Sequence, residues 1–223
     1  MGLIDLIFPR ICFGCGRAGR YICDNCLRKL KITKPICPEC ERPSIDGLTH
    51  VKCKRAQGLD GLTSIWLYEG AVRKAIISLK YKFAYEIAKE LSSYAASLLL
   101  KMNFERRAVL VPVPIHRLRE NWRGFNQAGE LGKLIAENLD WKFSPDLLVR
   151  KGLSRPQTGL KGVERQKNIR GVFVVNPHYS SFIIHNSFIL FDDVWTTGST
   201  LKEAAKVLKR NGAIWVWGLT IAR

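Results

Sequence analysis

The sequence predicts an α/β protein, a parallel sheet flanked by helices, with a small cysteine-rich module in front of it. Two observations predict it. From residue 59 onward, short apolar runs rich in β-branched and aromatic residues alternate with segments of helical periodicity, the order that builds parallel, helix-covered sheets. Before residue 41, six of the seven cysteines fall into three Cys-x-x-Cys pairs. With 223 residues, 47% of them hydrophobic, the chain can bury one ordinary core and carry a small extra module, which excludes a disordered protein. The expected division is a module over 1–58 and a larger domain over 59–223, with the turn-forming run QGLDG between them.

In the larger domain, Leu62 to Tyr68 reads as a strand. Ile87, Leu91, Tyr94 and Leu98 then share one face of a helix reaching about Lys101. AVLVPVP, from Ala108, is a buried strand ended by prolines. A helix from Ala128 to Asn138, a short strand near Leu147, and strands at Val172–Val175 and Phe188–Phe191 follow. The last helix, Thr200–Arg210, turns Leu201, Ala204, Ala205 and Leu208 inward, and AIWVWGLTIA adds a final strand.

The module reads as a metal-binding one. Zinc takes four N or S ligands in a tetrahedron, and two thiolates on one turn supply half of that set. Cys12, Cys15, Cys23 and Cys26 make one four-cysteine site, and Cys37, Cys40, His50 and Cys53 a second, since HVKC repeats the pair geometry with an imidazole. Interleaving of the first and third pairs, or a His50 that binds nothing, are the alternatives. Two Zn2+ ions are expected. Nothing in the module suggests a catalytic zinc with an open position, so a structural or adhesive role is expected.

The chain carries 36 Lys and Arg against 19 Asp and Glu, a formal net charge of +17 that points to a polyanionic or phosphorylated partner. Seven Lys or Arg and one acid lie between Arg150 and Arg170, together with glycines and a proline, as in a mobile basic loop. Neither a signal peptide nor an apolar run of membrane-spanning length is evident, so a cytoplasmic location without a membrane span is expected.

The most specific stretch is FILFDDVWTTGST, from Phe188 to Thr200. A buried strand there delivers Asp192 and Asp193 to its carboxyl end, where open α/β sheets bind ligands. A hydroxyl-rich turn follows and enters a helix, with Thr200 and Glu203 spaced as a capping box and the first N–H groups forming an anion site. Adjacent carboxylates suit the vicinal hydroxyls of a ribose, and the turn suits its phosphate. This stretch resembles the phosphoribosyl diphosphate loop of type I phosphoribosyltransferases.

Together with the cysteine pairs, VPVPIHRLRENWRGFNQA from Val111 and RPQTGLKGVERQKNIRGVF from Arg155, the chain resembles the ComF family of amidophosphoribosyltransferase-like competence proteins, over essentially its whole length. The resemblance implies a type I phosphoribosyltransferase-like domain behind a double zinc ribbon. It implies Asp192 and Asp193 at the ribose, and Val194, Trp195, Thr196, Thr197, Gly198, Ser199 and Thr200 around the 5-phosphate. Pro112, Val113, Pro114 and Arg117 would lie at the diphosphate, with Mg2+. Arg119, Arg123, Gln127, Arg155, Gln157, Arg165 and Asn168 would form the basic, nucleic-acid-facing part. The implied partners are phosphoribosyl diphosphate or ribose 5-phosphate, single-stranded DNA during natural transformation, and competence-machinery proteins reached through the zinc module.

Two departures stand out: His50 and Cys53 replace a fourth cysteine pair, and Trp195 is bulkier than the small aliphatics common there. From the residues themselves, Trp122 and Phe125 beside Arg123 suit either stacking on bases and gripping phosphates or packing in the core. An active phosphoribosyltransferase and a zinc-ribbon adaptor without ligand chemistry are the competing functions; no base-recognition hood or general acid is evident for the former.

Overall fold

A computed structural model describes residues 9–79, 84–102, 108–151 and 169–223. The strands are β1 (Gly61–Trp66), β2 (Val109–Pro112), β3 (Leu148–Arg150), β4 (Phe173–Val175), β5 (Ser187–Val194) and β6 (Trp215–Ala222). Four of them form a parallel sheet in the order β1-β6-β5-β2. In β5, Phe188 to Phe191 are fully buried, because neighbouring strands flank them and both sheet faces are covered.

The helices are α1 (Asp24–Leu27), α2 (Gly70–Ser78), α3 (Ala84–Leu99), α4 (Arg117–Arg123), α5 (Gln127–Leu139), α6 (Ser180–Ile183) and α7 (Ser199–Arg210). On one face of the sheet, α2, α3 and α5 place Ile76, Leu91, Leu131 and Ile135 against Leu110, Ile189, Phe191 and Leu219. On the other, α7 buries Leu201, Ala204, Ala205 and Leu208 as its apolar spacing requires, in a cluster with Val111, Leu190 and Val216.

Three elements differ from the sequence expectation. The segments near Leu147 and Val172 pair with each other as the antiparallel β3–β4 ribbon, with Val149 opposite Val174, and do not join the parallel sheet. A strand of three residues shows no periodicity from which its partner can be read. Helix α2 follows β1 directly, a nine-residue element whose four buried positions left too short a pattern to mark it. The basic run after Pro114 forms α4, closed by Gly124 in the left-handed conformation at φ 81°.

The N-terminal module covers the outer edge of β1 at two points. Lys31 to Thr33 run antiparallel to its end, through Thr33 N–H to the Ile65 carbonyl (3.0 Å) and Leu67 N–H to the Lys31 carbonyl (2.9 Å). At its start, Leu48 bridges Gly61 and Thr49 N–H donates to the Asp60 carbonyl at 2.9 Å. The ring of Trp217 lies flat across Gly61: a β carbon there would sit 2.0 Å from the indole. Its Nε1–H donates to Thr63 Oγ1 at 3.0 Å.

Gly61→Ala is therefore expected to push the Trp217 ring out of place and destabilise the protein by about 1–3 kcal/mol, the usual range for overpacking. Thermal melting checks this, and an unchanged midpoint would show that the ring is not fixed by this contact.

Candidate functional site

Two clusters of ligand atoms form in the module. The sulfurs of Cys12, Cys15, Cys23 and Cys26 lie within 4.8 Å of one another, as do those of Cys37, Cys40 and Cys53 with a His50 ring nitrogen. The pairing is sequential, not interleaved. Burial would raise the Cys12 thiol, but the N–H groups of Cys23, Cys15 and Gly14 outweigh it and bring the pKa down to about 6. Cys26 is pushed up to about 12 by desolvation and then by the neighbouring cysteines. Four thiolates this close need a divalent cation between them. In the second cluster, His50 Nε2 lies 3.1 Å from the Pro43 carbonyl and Nδ1 3.4 Å from Cys40 Sγ. Donation from Nε2–H to that carbonyl leaves the Nδ1 lone pair for a metal, the usual outer-shell arrangement.

The two clusters grip opposite sides of the larger domain. Beside the first, Tyr21 and Ile22 donate their N–H groups to the Glu90 carboxylate on α3 at 3.1 and 2.6 Å, and Tyr94 Oη donates to the Ile22 carbonyl at 2.9 Å. Beside the second, Glu39 faces Lys202 of α7 at 4.0 Å, and Glu41 accepts the Trp195 indole N–H at 3.4 Å.

That indole is the floor of the turn after β5. Trp195 is 3% exposed, so its bulk is packing rather than an obstruction. Gly198 lies on it at φ 68°, where a β carbon would meet the ring at 2.2 Å; the position requires glycine for both space and backbone conformation. Thr197 and Ser199 hydroxyls are 2.7 Å apart. The expected capping box is not formed. Gly198 is the N-cap of α7, Thr200 is already helical, and Glu203 instead accepts the Gly171 N–H at 2.8 Å, beside β4. Thr197 Oγ1 accepts the Ser199 N–H at a long 3.5 Å and Gly198 has no side chain to cap α7, so the Thr200 and Leu201 N–H groups of its first turn keep no intrahelical partner.

Asp192 and Asp193 stand half-buried at the end of β5. Burial first, and then the Asp193 charge, push the Asp192 carboxyl well above the usual carboxylate range; the Asp193 N–H, donating to Asp192 Oδ1 at 2.9 Å, partly opposes this. Next to them, β2 ends at Pro112, and Val113 N–H donates to the Phe191 carbonyl at 2.8 Å.

Past Pro114 comes His116, which sequence reasoning missed although a histidine at a proline-ended strand terminus is a visible signal. It is buried and caps α4, its Nδ1 accepting the Leu118 N–H at 3.2 Å. In the neutral ring the proton is therefore on Nε2, which is buried with no hydrogen-bond partner among the described residues.

The remaining expected residues separate. Arg117 is exposed at the start of α4, Arg119 lies within that helix, and Trp122 is 75% exposed. Phe125 packs partly against the core. Arg123 donates to Gln127 Oε1 at 2.7 Å, and Gln127 is buried. Asn126 caps α5 and donates to the Val113 carbonyl at 3.1 Å, tying the RGFNQ run to the end of β2. Arg155, Gln157, Arg165 and Asn168 lie outside the described residues.

Elemental analysis is expected to find about two zinc ions per chain, and about one in His50→Ala. Loss of the second ion is also expected to move the fluorine resonance of 5-fluorotryptophan at position 195, since Glu41 belongs to that knuckle. A folded protein without metal would overturn the assignment.

A double zinc ribbon domain model matches residues 3–56. The DNA utilization protein YhgH of Escherichia coli K12 is 29% identical over 233 residues, 96% of this chain and 98% of that protein. The competence protein ComFC of Bacillus subtilis is 32% identical over 202 residues, 86% of this chain and 79% of that one. Among solved structures, the glutamine phosphoribosylpyrophosphate amidotransferase from B. subtilis is 14% identical with a TM-score of 0.42, covering 61% of this chain and 27% of its own. A hypoxanthine phosphoribosyltransferase from Staphylococcus aureus is 13% identical with a TM-score of 0.38, covering 61% and 62%. These two likenesses are too distant to assign a function. The identity to ComFC, spread over most of both chains, does assign a family: the protein belongs to the family of the competence protein ComFC.

Proposed function

We propose that this is a ComF-type protein of DNA uptake that binds phosphoribosyl diphosphate or ribose 5-phosphate at the carboxyl edge of its sheet, and single-stranded DNA elsewhere on its basic surface. The observation that carries the sugar-phosphate reading is the path from β5 into α7. A buried strand ends in two adjacent carboxylates, and six residues after Asp193 the chain enters a helix whose first N–H meets only a long 3.5 Å contact from Thr197 and whose N-cap is a glycine. Carboxylates accept hydrogen bonds from the vicinal hydroxyls of a ribose, and the hydroxyls and N–H groups from Thr196 to Thr200 donate to its phosphate. The neighbouring Pro112-Val113-Pro114 turn and Arg117 would face a diphosphate arriving with Mg2+. The role in DNA uptake is supported by the names of the relatives and by the +17 charge. In this reading the module over 1–58 is structural, the domain over 59–223 holds the ligand, and the protein works in the cytoplasm. No helix among the described residues is long and apolar enough to cross a membrane.

A second reading, an active phosphoribosyltransferase, is favoured by one observation. His116 Nε2, on the segment leaving β2, and Gln127 Nε2, at the start of α5, are buried without hydrogen-bond partners among the described residues, and such donors would suit a departing diphosphate. Release of diphosphate on adding a base would establish it.

Calorimetric titration of phosphoribosyl diphosphate with Mg2+ into the zinc-loaded protein is expected to show saturable binding, abolished in the double variant Asp192→Asn, Asp193→Asn. Absence of heat in the parent would sink the sugar-phosphate reading. The raised Asp192 pKa adds a further test. Its folded value lies above the unfolded value of about 3.9, so the stability it contributes is full below that pH and is lost as pH rises through the folded pKa. Asp192→Asn removes the charge that folding opposes. Its melting temperature is expected to exceed that of the parent by a margin that grows as pH rises above the unfolded value of about 3.9, reaching about 2–4 °C. A difference that stays constant with pH would show that Asp192 titrates normally.

A further inference from the structure

On the β1 edge, with β6 between it and the carboxylates, lies a cavity of about 770 Å³ whose lining includes none of the residues of the sugar-phosphate site. The module covers β1 at Lys31–Thr33 and again at Leu48–Thr49. Between these two contacts, Leu62, Thr63 and Ser64 line the cavity, so the middle of the edge opens into it. Trp215 and Trp217 of β6 line it, as does Arg223 just past the end of that strand, and the eight steps from Trp215 to Arg223 at about 3.3 Å each span roughly 26 Å.

Its chemistry is that of a nucleic-acid strand site. Trp217 is pinned by Gly61 beneath it and by its bond to Thr63. Trp215 stacks on Trp217 with centroids 5.3 Å apart and planes at 18°, and is only partly buried, so it forms the outer member of an aromatic stack. Three cations, Lys34, Lys101 and Arg223, are spread along the same cavity against one acid, Asp46. Arg223 donates from Nη2 to the Lys34 carbonyl at 3.3 Å, while its Nε is buried with no hydrogen-bond partner among the described residues. An aromatic platform with cations distributed along a groove binds bases by stacking and the backbone by charge.

We propose that this groove, walled on one side by the zinc module, is where the protein holds single-stranded DNA, with a base stacked on Trp215 and phosphates at Lys34 and Lys101. The groove's length favours a strand over one nucleotide, since about 26 Å matches a site of roughly four nucleotides. An added peptide β-strand is disfavoured, because only three residues of the β1 edge line the cavity and cations accompany them. The proposal rests on the single-strand part of the function proposed above and gives it a place. The module then does more than seal an edge, because its metal-clasped turns fix the wall against which the strand lies.

The test is fluorescence anisotropy of a labelled oligothymidylate of about 20 nucleotides, titrated with the zinc-loaded full chain over a series of salt concentrations. Trp215→Ala is expected to weaken binding about tenfold with the salt slope unchanged, and Trp215→Phe to restore most of it. Lys34→Glu and Lys101→Glu are each expected to weaken binding and lower the slope by about one. Ribose 5-phosphate binding, followed by calorimetry, is expected to stay at the parental level in all four. Parental DNA affinity in Trp215→Ala and in both lysine variants would overturn the groove, and loss in Arg123→Glu instead would move the strand to α4 with the single-strand reading intact. Thymidine monophosphate binding as tightly as the oligonucleotide would overturn the strand in favour of a single nucleotide. A parent that binds no oligonucleotide even at low salt would remove the single-strand reading and the groove together.

Discussion

An edge strand in a sheet covered on both faces has to be sealed, and in this protein the sealing of β1 organises everything else. The strand is buried along its whole length, yet among the described residues nothing from the larger domain pairs with its outer side. The N-terminal module supplies the missing partner with two short antiparallel contacts. Segments this short hold no register by themselves; their position is fixed by the metal-clasped turns beside them. The module therefore sits astride the edge, with Glu90 and Tyr94 holding it on one side and Lys202 and Trp195 on the other.

That arrangement brings the second metal cluster up against the turn that follows β5. Glu41 holds the indole of Trp195, Trp195 carries Gly198, and Gly198 sets the start of α7. A chain of packed contacts thus leads from a thiolate cluster to the N–H groups of a helix end. The carboxylates lie at the other end of the same turn, and there the fold works against itself: burial raises the Asp192 pKa and so opposes the charge that the proposed ligand would call for. Groups held this way lower the stability of the empty protein, as binding sites commonly do.

Much of this was legible in the sequence, for reasons that can be named. The cysteine pairs, with His50 three residues before Cys53, identified both ligand sets, because metal coordination depends on spacing within one or two turns. FILF followed by two acids marked a central strand and its carboxyl end, since four fully apolar residues in a row fit only a strand buried on both faces. The inward residues of α7 followed from its period. The capping box did not hold, because Glu203 has a better partner in the Gly171 N–H, which is distant in the chain and absent from any local pattern.

By itself, then, the sequence determined the α/β class from the alternation of its short segments, and the two metal sets and the strand-to-helix turn with its acids from residues no more than 16 positions apart. Tertiary structure decided that β3 and β4 leave the parallel sheet, that His116 is buried with a lone donor, and that the module straddles β1 and leaves an aromatic, cationic gap beside Trp215. These depend on pairing between segments up to about 190 residues apart, as with Lys34 and Arg223. Such contacts are selected by which buried surfaces fit and which polar groups remain to be satisfied, and neither is written in the period or spacing of any one segment.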